Sequence, residues 1–260
     1  MSGLRLTDYT AAEREAAKAR ALAKFGSDRV FHRSLGDPRP YRVLVAMFTK
    51  ETWARYVDLT AQLGQQGSRL MAQELLLEPD AVPLLDKVPM AYVPIMTTLR
   101  ALAGGDNMGA TSRAPSVKLL ETYPEGAPDL GLTVEVMAEL KAKAGAQDLF
   151  LVRPDYDVTI QRGKDAALVP YGFVMRDCDA AVSNQIVGDF DQATKAAQGI
   201  VDSYREAVTE TVVWASPKLN GSTSFAAHQE THPALIGQAW VAFLSARGSA
   251  VEASNKSLSF

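Results

Sequence analysis

A single cysteine, Cys178, stands in the 260 residues, so the chain has no internal disulfide framework and no thiolate metal cluster, which fits a reducing compartment. Long apolar runs are also missing. Stretches such as Val43 to Phe48 fall far short of the ~20 residues a spanning helix needs, and no charged, apolar, small-residue leader opens the sequence. The expectation is a soluble protein made in the cytoplasm, with no membrane partner. Nor is there a surplus of one charge. The formal net charge is −3, from 27 basic and 30 acidic side chains; residues 1–130 hold 16 and 15 of them, residues 131–260 hold 11 and 15. Neither half has the positive excess that phosphate-backbone binding draws on, so nucleic acid is not an expected partner. No P-loop, G-x-G-x-x-G or G-x-S-x-G occurs. What is present is 47% hydrophobic residues, enough to bury one or two sizeable cores and to exclude disorder for most of the length.

The most informative feature is a weak self-similarity. A helical run from Lys18 to Lys24 stops at Gly26 and leads into an alternating strand at Val30-Phe31; Glu139 to Ala144 stops at Gly145 and leads into Leu149-Phe150. A glycine just past a helix fits because that position usually takes positive φ. Arg42 to Phe48 then reads as a strand leading into a helix from Lys50 to Leu63, as Tyr171 to Met175 leads into Asp177 to Val187. A helix ending at proline follows in each half: Arg69 to Glu78 before Pro79, and Gln192 to Ser216 before Pro217. The closing helices open with proline and end before glycine, Pro89 to Ala103 and Pro233 to Ala246. Offsets between the copies grow from 119 at Gly26/Gly145 to 138 at Pro79/Pro217 and 144 at Pro89/Pro233, the pattern that insertions in the second copy would leave.

These readings predict an α+β fold, mostly helical, of two tandem similar units, each a small antiparallel sheet with several packed helices. The first unit spans 1–103, a linker or arm 104–131, the second unit 132–248 and a C-terminal tail 249–260. Core stripes are expected at Trp53, Tyr56, Val57, Leu59 and Leu63, at Leu70, Met71 and Leu75 to Leu77, at Ile200, Tyr204, Val208 and Val212, and at Leu235, Ile236, Trp240, Phe243 and Leu244. The arm holds five glycines and three prolines, and its middle, Ser116 to Leu120, is expected to dock on a neighbour; the tail is expected to be loose without a partner.

Three kinds of motif invite chemistry. Asp155-Tyr156-Asp157-Val158-Thr159 matches the DxDxT opening of haloacid-dehalogenase-type phosphotransferases, but Arg153-Pro154 cuts the preceding strand short of delivering the first Asp, so both read as turn acids. Asp177 and Asp179, and Asp189 and Asp191, precede helical runs and read as caps. His228 and His232 stand four apart, yet Glu230 is misplaced for a zinc-protease helix and His32 is the only other histidine; they read as surface polar residues before a helix. Cys178 between two acids is not poised as a nucleophile. No catalytic, cofactor-binding or metal residue is therefore assigned, and no cofactor is expected.

The order Lys24-Phe25-Gly26 with Asp28, Val30-Phe31, the strand Tyr41 to Phe48 closing on Thr49-Lys50, Glu74-Leu75-Leu76-Leu77-Glu78-Pro79-Asp80 and Leu99 to Gly105 resembles small tail-assembly and virion-accessory proteins of tailed bacteriophages. Val212 to Pro217 and Phe243 to Gly248 keep that plan in the second copy. The resemblance implies a non-enzymatic structural or assembly protein of a tail, baseplate or neck, located in the virion, with other virion proteins as partners in a larger oligomeric assembly. Bivalent contact by two tethered units would be its mechanism. The alternatives are a metal-dependent phosphohydrolase using Asp155 and Asp157, and a transient tail-assembly chaperone.

Overall fold

Local signals set the first helix. In the computed structural model, which describes residues 9–35, 41–78, 81–87, 90–105, 115–154, 157–159 and 168–257, α1 (Ala11–Phe25) opens with a capping box. The Thr10 hydroxyl accepts from the Glu13 N–H, and the Glu13 carboxylate accepts from the Thr10 N–H at 2.7 Å. Gly26, at φ 71°, ends it. Ala17 and Ala21, one turn apart and fully buried, let α1 lie close against an antiparallel pair, β1 (Val30–Leu35) and β2 (Tyr41–Ala46), with Val30 opposite Ala46. Next come α2 (Lys50–Leu63) and α3 (Gln65–Leu75), which approach so closely at Gly67 that a Cβ there would stand 2.2 Å from the Leu59 carbonyl oxygen. The chain then returns to the sheet: Leu76 bridges to Val45, and the Leu77 N–H donates to the Leu44 carbonyl. Two helices follow, α4 (Val82–Lys87) and α5 (Tyr92–Leu102).

The second half is built on a four-stranded antiparallel sheet of order β3-β4-β7-β8, from β3 (Ser116–Leu119), β4 (Leu149–Arg153), β7 (Phe173–Arg176) and β8 (Val212–Ala215). A separate pair, β5 (Val158–Thr159) and β6 (Leu168–Val169), comes between β4 and β7 along the chain but outside their sheet. Alternation along the strands feeds two cores. Leu149, Leu151, Val174 and Trp214 pack with α6 (Ala127–Leu130) and α7 (Val134–Ala144). Val152, Phe173, Met175 and Ala215 face the other way, with residues of α8 (Ala180–Ala196), α9 (Asp202–Thr211), α10 (Phe225–Thr231) and α11 (Leu235–Ser257). Burying a side chain the size of Phe173 contributes ~1.5–3 kcal/mol.

The fold is thus mixed α+β, mostly helical, with small antiparallel sheets. One order of elements runs through both halves: α1-β1-β2-α2-α3, the Leu76 bridge, α4 and α5, then α7-β4-β7-α8-α9-β8-α10-α11. The halves differ in β3, α6 and β5–β6, in having a single bridge at Leu76 where the second half has strand β8, and in the length of α11. A shared order is a property of topology; descent from one duplicated unit is a separate matter.

Several segments differ from the sequence reading for identifiable reasons. Gln192 to Ser216 is not one helix. α8 ends at Ala196, and after α9 the β-branched pair Val212-Val213 and Trp214 form β8 on the edge of β7. The helix expected from Asp177 starts at Ala180, and Asp189 and Asp191 sit exposed inside α8 rather than at a cap. The helix expected from Arg69 to Glu78 stops at Leu75, where Leu76 and Leu77 join the sheet. Within 104–131, Ser116 to Leu119 pairs with β4 of the same chain and 127–130 is helical, so that middle segment docks internally. α11 runs on through Gly248 to Ser257. Leu63, Leu70 and Leu244, expected in the core, are exposed.

Candidate functional site

Asp177, Asp179 and the two histidines have structural partners, while Asp189 and Asp191 lie exposed within α8. Asp179 is the N-cap of α8 and accepts from the Ala181 and Val182 N–H groups at 2.7 and 3.4 Å. Asp177 accepts from the Cys178 N–H at 2.9 Å. Asp155 lies outside the described residues. Asp157 is exposed immediately before β5, in an open cleft of about 540 Å³ with Lys118 and Arg153.

The histidines overturn the surface reading. His228 lies inside α10 and is fully buried; His232, at its end, is 6% exposed. The Ser222 carbonyl can only accept, so His228 Nε2 carries the proton and donates at 2.8 Å, which leaves Nδ1 to accept from the Tyr171 hydroxyl at 2.8 Å. Burial holds the His228 pKa below the ordinary imidazole range, partly offset by the Ser222 bond, and drives the Tyr171 hydroxyl well above the usual phenol range. The result is a neutral imidazole that pins the start of β7 to α10. Among the described residues no group of three or more His, Cys, Asp or Glu side chains is disposed to hold a metal ion.

The larger cleft, about 880 Å³, lies on the seam between the halves, bounded by the end of α1, the start of α2, α3 and Glu230 of α10. Its charges meet one another. Lys50 pairs with Glu230 at 2.8 Å, a bond that raises the ammonium pKa, and Arg55 pairs with Glu74 at 2.7 Å. Arg29 donates to the Thr231 carbonyl at 2.6 Å, and burial lowers its pKa. The α2 N-terminus is closed by its own capping box between Thr49 and Thr52. Such a cleft offers fixed charges of both signs and hydrogen-bonding groups to a partner surface.

Beneath the cleft, α2 docks on the second half. The Asp58 carboxylate accepts from the Gly199 and Ile200 N–H groups at 2.8 and 3.0 Å, in the turn from α8 to α9. Arg205 of α9 donates to the Lys50 carbonyl at 2.8 Å, and Gln62 donates to the Ala197 carbonyl at 2.8 Å. Trp53 packs against two hydrophobic cores and Ala54 belongs to the second. At the other end of the seam the Ala234 N–H donates to the Ala103 carbonyl at 2.8 Å. A Cβ on Gly104, at φ +86°, would stand 2.9 Å from Leu235 Cγ, so the close approach needs glycine. None of these cross-half bonds had a signal in the sequence, because each joins residues more than a hundred positions apart.

No helix of the described residues is long and apolar enough to cross a membrane. No protein-family model, no curated protein and no solved structure matches this chain.

Proposed function

We propose that this chain is a non-enzymatic structural or assembly protein of a tailed-phage particle, in its tail, baseplate or neck, acting through protein surfaces with other virion proteins in a larger oligomer. The observation that supports a surface-acting protein is the use made of its polar side chains. Asp177, Asp179 and His228, the described residues with most chemical promise, serve as caps and core bonds. The phage setting rests on the resemblance of the motifs in both halves, and descent from one duplicated unit belongs to the same proposal.

The shape of the contact changes from the tethered-unit mechanism. With Asp58, Arg205, Gln62 and Trp53 fastening one half to the other, the two halves present one continuous surface. A partner binding across the seam meets groups already held in place, so less ordering cost opposes binding.

Mass spectrometry of purified particles from a host expressing this chain tests the proposal. A stoichiometric band supports a virion part; presence in infected cells with absence from particles supports the transient chaperone instead. Absence from both particles and assembly intermediates overturns the phage setting. Magnesium-dependent turnover of a generic phosphate ester, lost in Asp155→Asn, would replace the whole reading with a phosphohydrolase.

A further inference from the structure

The four-stranded sheet leaves one flank open. Strand β3 is the first in the order β3-β4-β7-β8, and among the described residues no strand pairs with its outer side. The Leu120 N–H donates to the Leu149 carbonyl at 2.7 Å, and the register places Lys118 opposite Leu151 and Ser116 opposite Arg153. Antiparallel ladders alternate, so Ser116, Lys118 and Leu120 turn their backbone groups toward β4, while Val117 and Leu119 turn theirs outward. Two residues thus offer N–H and C=O groups to an added strand.

Side chains on the two faces say what that strand carries. On one face, Ser116, Lys118, Leu151 and Arg153 line the cleft of about 540 Å³. The Arg153 guanidinium lies against Gly126, where a Cβ would come within 3.0 Å of Nη1. Among the described residues neither Lys118 nor Arg153 has a side-chain hydrogen bond or an ion pair. Glu125 and Asp157 flank them in the same cleft, so a uniformly negative segment is a poor match. On the opposite face Leu119 is 46% exposed.

We infer that the outer edge of β3 takes an extended segment of a partner protein, with an acidic side chain facing Lys118 and apolar side chains beside Leu119. This rests on the proposed action through protein contacts and names one such surface. A second copy of this chain fits less well. In the register that uses both outward residues, Val117 against Leu119, each Lys118 stands directly opposite the other, and like charges facing across strands destabilise the pair.

The test is fluorescence anisotropy of the full chain with a labelled seven-residue peptide, valine alternating with serine and carrying one central glutamate that faces Lys118, against the same peptide with lysine at that place. The glutamate peptide binds saturably and the lysine peptide about tenfold more weakly; Lys118→Glu inverts that order. Leu119→Pro removes an outward N–H without touching the ladder to β4 and loses the glutamate peptide. Should that variant fold poorly, N-methylation of the peptide backbone makes the same cut from the other side and abolishes binding to the unaltered chain. Equal binding of both peptides, binding indifferent to N-methylation, or no saturable binding up to about 1 mM overturns the inference. Particle composition is read separately, so the failure of one leaves the other standing.

Discussion

Replacing Asp58 by alanine tests whether the two halves behave as one body. Its carboxylate is the acceptor for the Gly199 and Ile200 N–H groups at 2.8 and 3.0 Å. Gly199 is half-buried, so water replaces much of its lost bond, whereas Ile200 is 8% exposed and its N–H is stranded. A stranded buried donor costs about 1–3 kcal/mol, and the loss of a charged acceptor from Gly199 adds about 1 kcal/mol, so Asp58→Ala destabilises by about 2–4 kcal/mol. With a urea slope near 3 kcal/mol per molar, the unfolding midpoint falls by about 1 M. The two N–H groups bond to different oxygens, so Asp58→Asn keeps one acceptor, sets an NH2 donor against the other N–H, and recovers only part of the loss. The assay follows far-UV circular dichroism and tryptophan fluorescence together, because Trp53 reports the seam, Trp214 the core under α7 and Trp240 the core under α11. Both probes are expected to shift equally, in one transition. A variant within about 0.5 kcal/mol of the unaltered chain, or separate transitions for the two probes in the unaltered chain, refutes the fastened seam.

Exchanging Glu230 for alanine removes only the exposed Lys50 pair and is expected to change stability by less than about 1 kcal/mol, a contrast with Asp58 read on the same urea curves. Gly67→Ala sets a Cβ against the Leu59 carbonyl oxygen and destabilises by about 3 kcal/mol, measured as a lowered Tm. Ala197 holds a left-handed conformation at φ 50°, so Ala197→Gly is expected to raise stability by up to about 1 kcal/mol in the same melts. For His228 the folded pKa lies below the unfolded value near 6.5, so the unfolded state takes up the proton first. Stability is complete above pH ~6.5 and declines as pH falls through it; His228→Gln keeps a donor and an acceptor and flattens that slope in urea titrations from pH ~7.5 to ~5.

Local signals carried the parts of the fold that local chemistry decides. The glycine stop at Gly26, the strand Tyr41–Ala46, the helix Lys50–Leu63 and the helix ahead of Gly104 were legible because caps, alternation and helical spacing act within a few residues. Strand β8 was not, since Val212 to Ala215 continues a helical apolar pattern and becomes a strand only because β7 lies alongside. Strand β3 was hidden for a like reason: four residues in a glycine- and proline-rich stretch show no period until β4 supplies the register. The histidines misled through their neighbours. Polar residues around His228 and Pro233 after His232 suggested a surface, while the Tyr171 hydroxyl and the Ser222 carbonyl that satisfy the buried imidazole come from elsewhere in the chain.

The seam bears on how this chain is altered without loss of fold. Its strongest ties run from a side chain to a backbone group: Asp58 to two N–H groups, Arg205 and Gln62 to carbonyls, Arg29 to the end of α10. A backbone partner is there whatever side chain the position carries, so the second half of the seam tolerates substitution at the exposed Gln198, whereas Gly199, at φ 66°, is held to glycine. The side chains that make the ties are the sensitive positions: Asp58, Gln62 and Arg29 in the first half and Arg205 in the second. Substitutions at Gln198 are therefore expected to leave the seam intact, and those at Asp58 to loosen it. The exposed pair between Lys50 and Glu230 lies outside that frame. Its charges are thus free to be exchanged for a new partner's without unfastening the halves, which makes the rim of the larger cleft the place where contacts can change while the fold stays fixed.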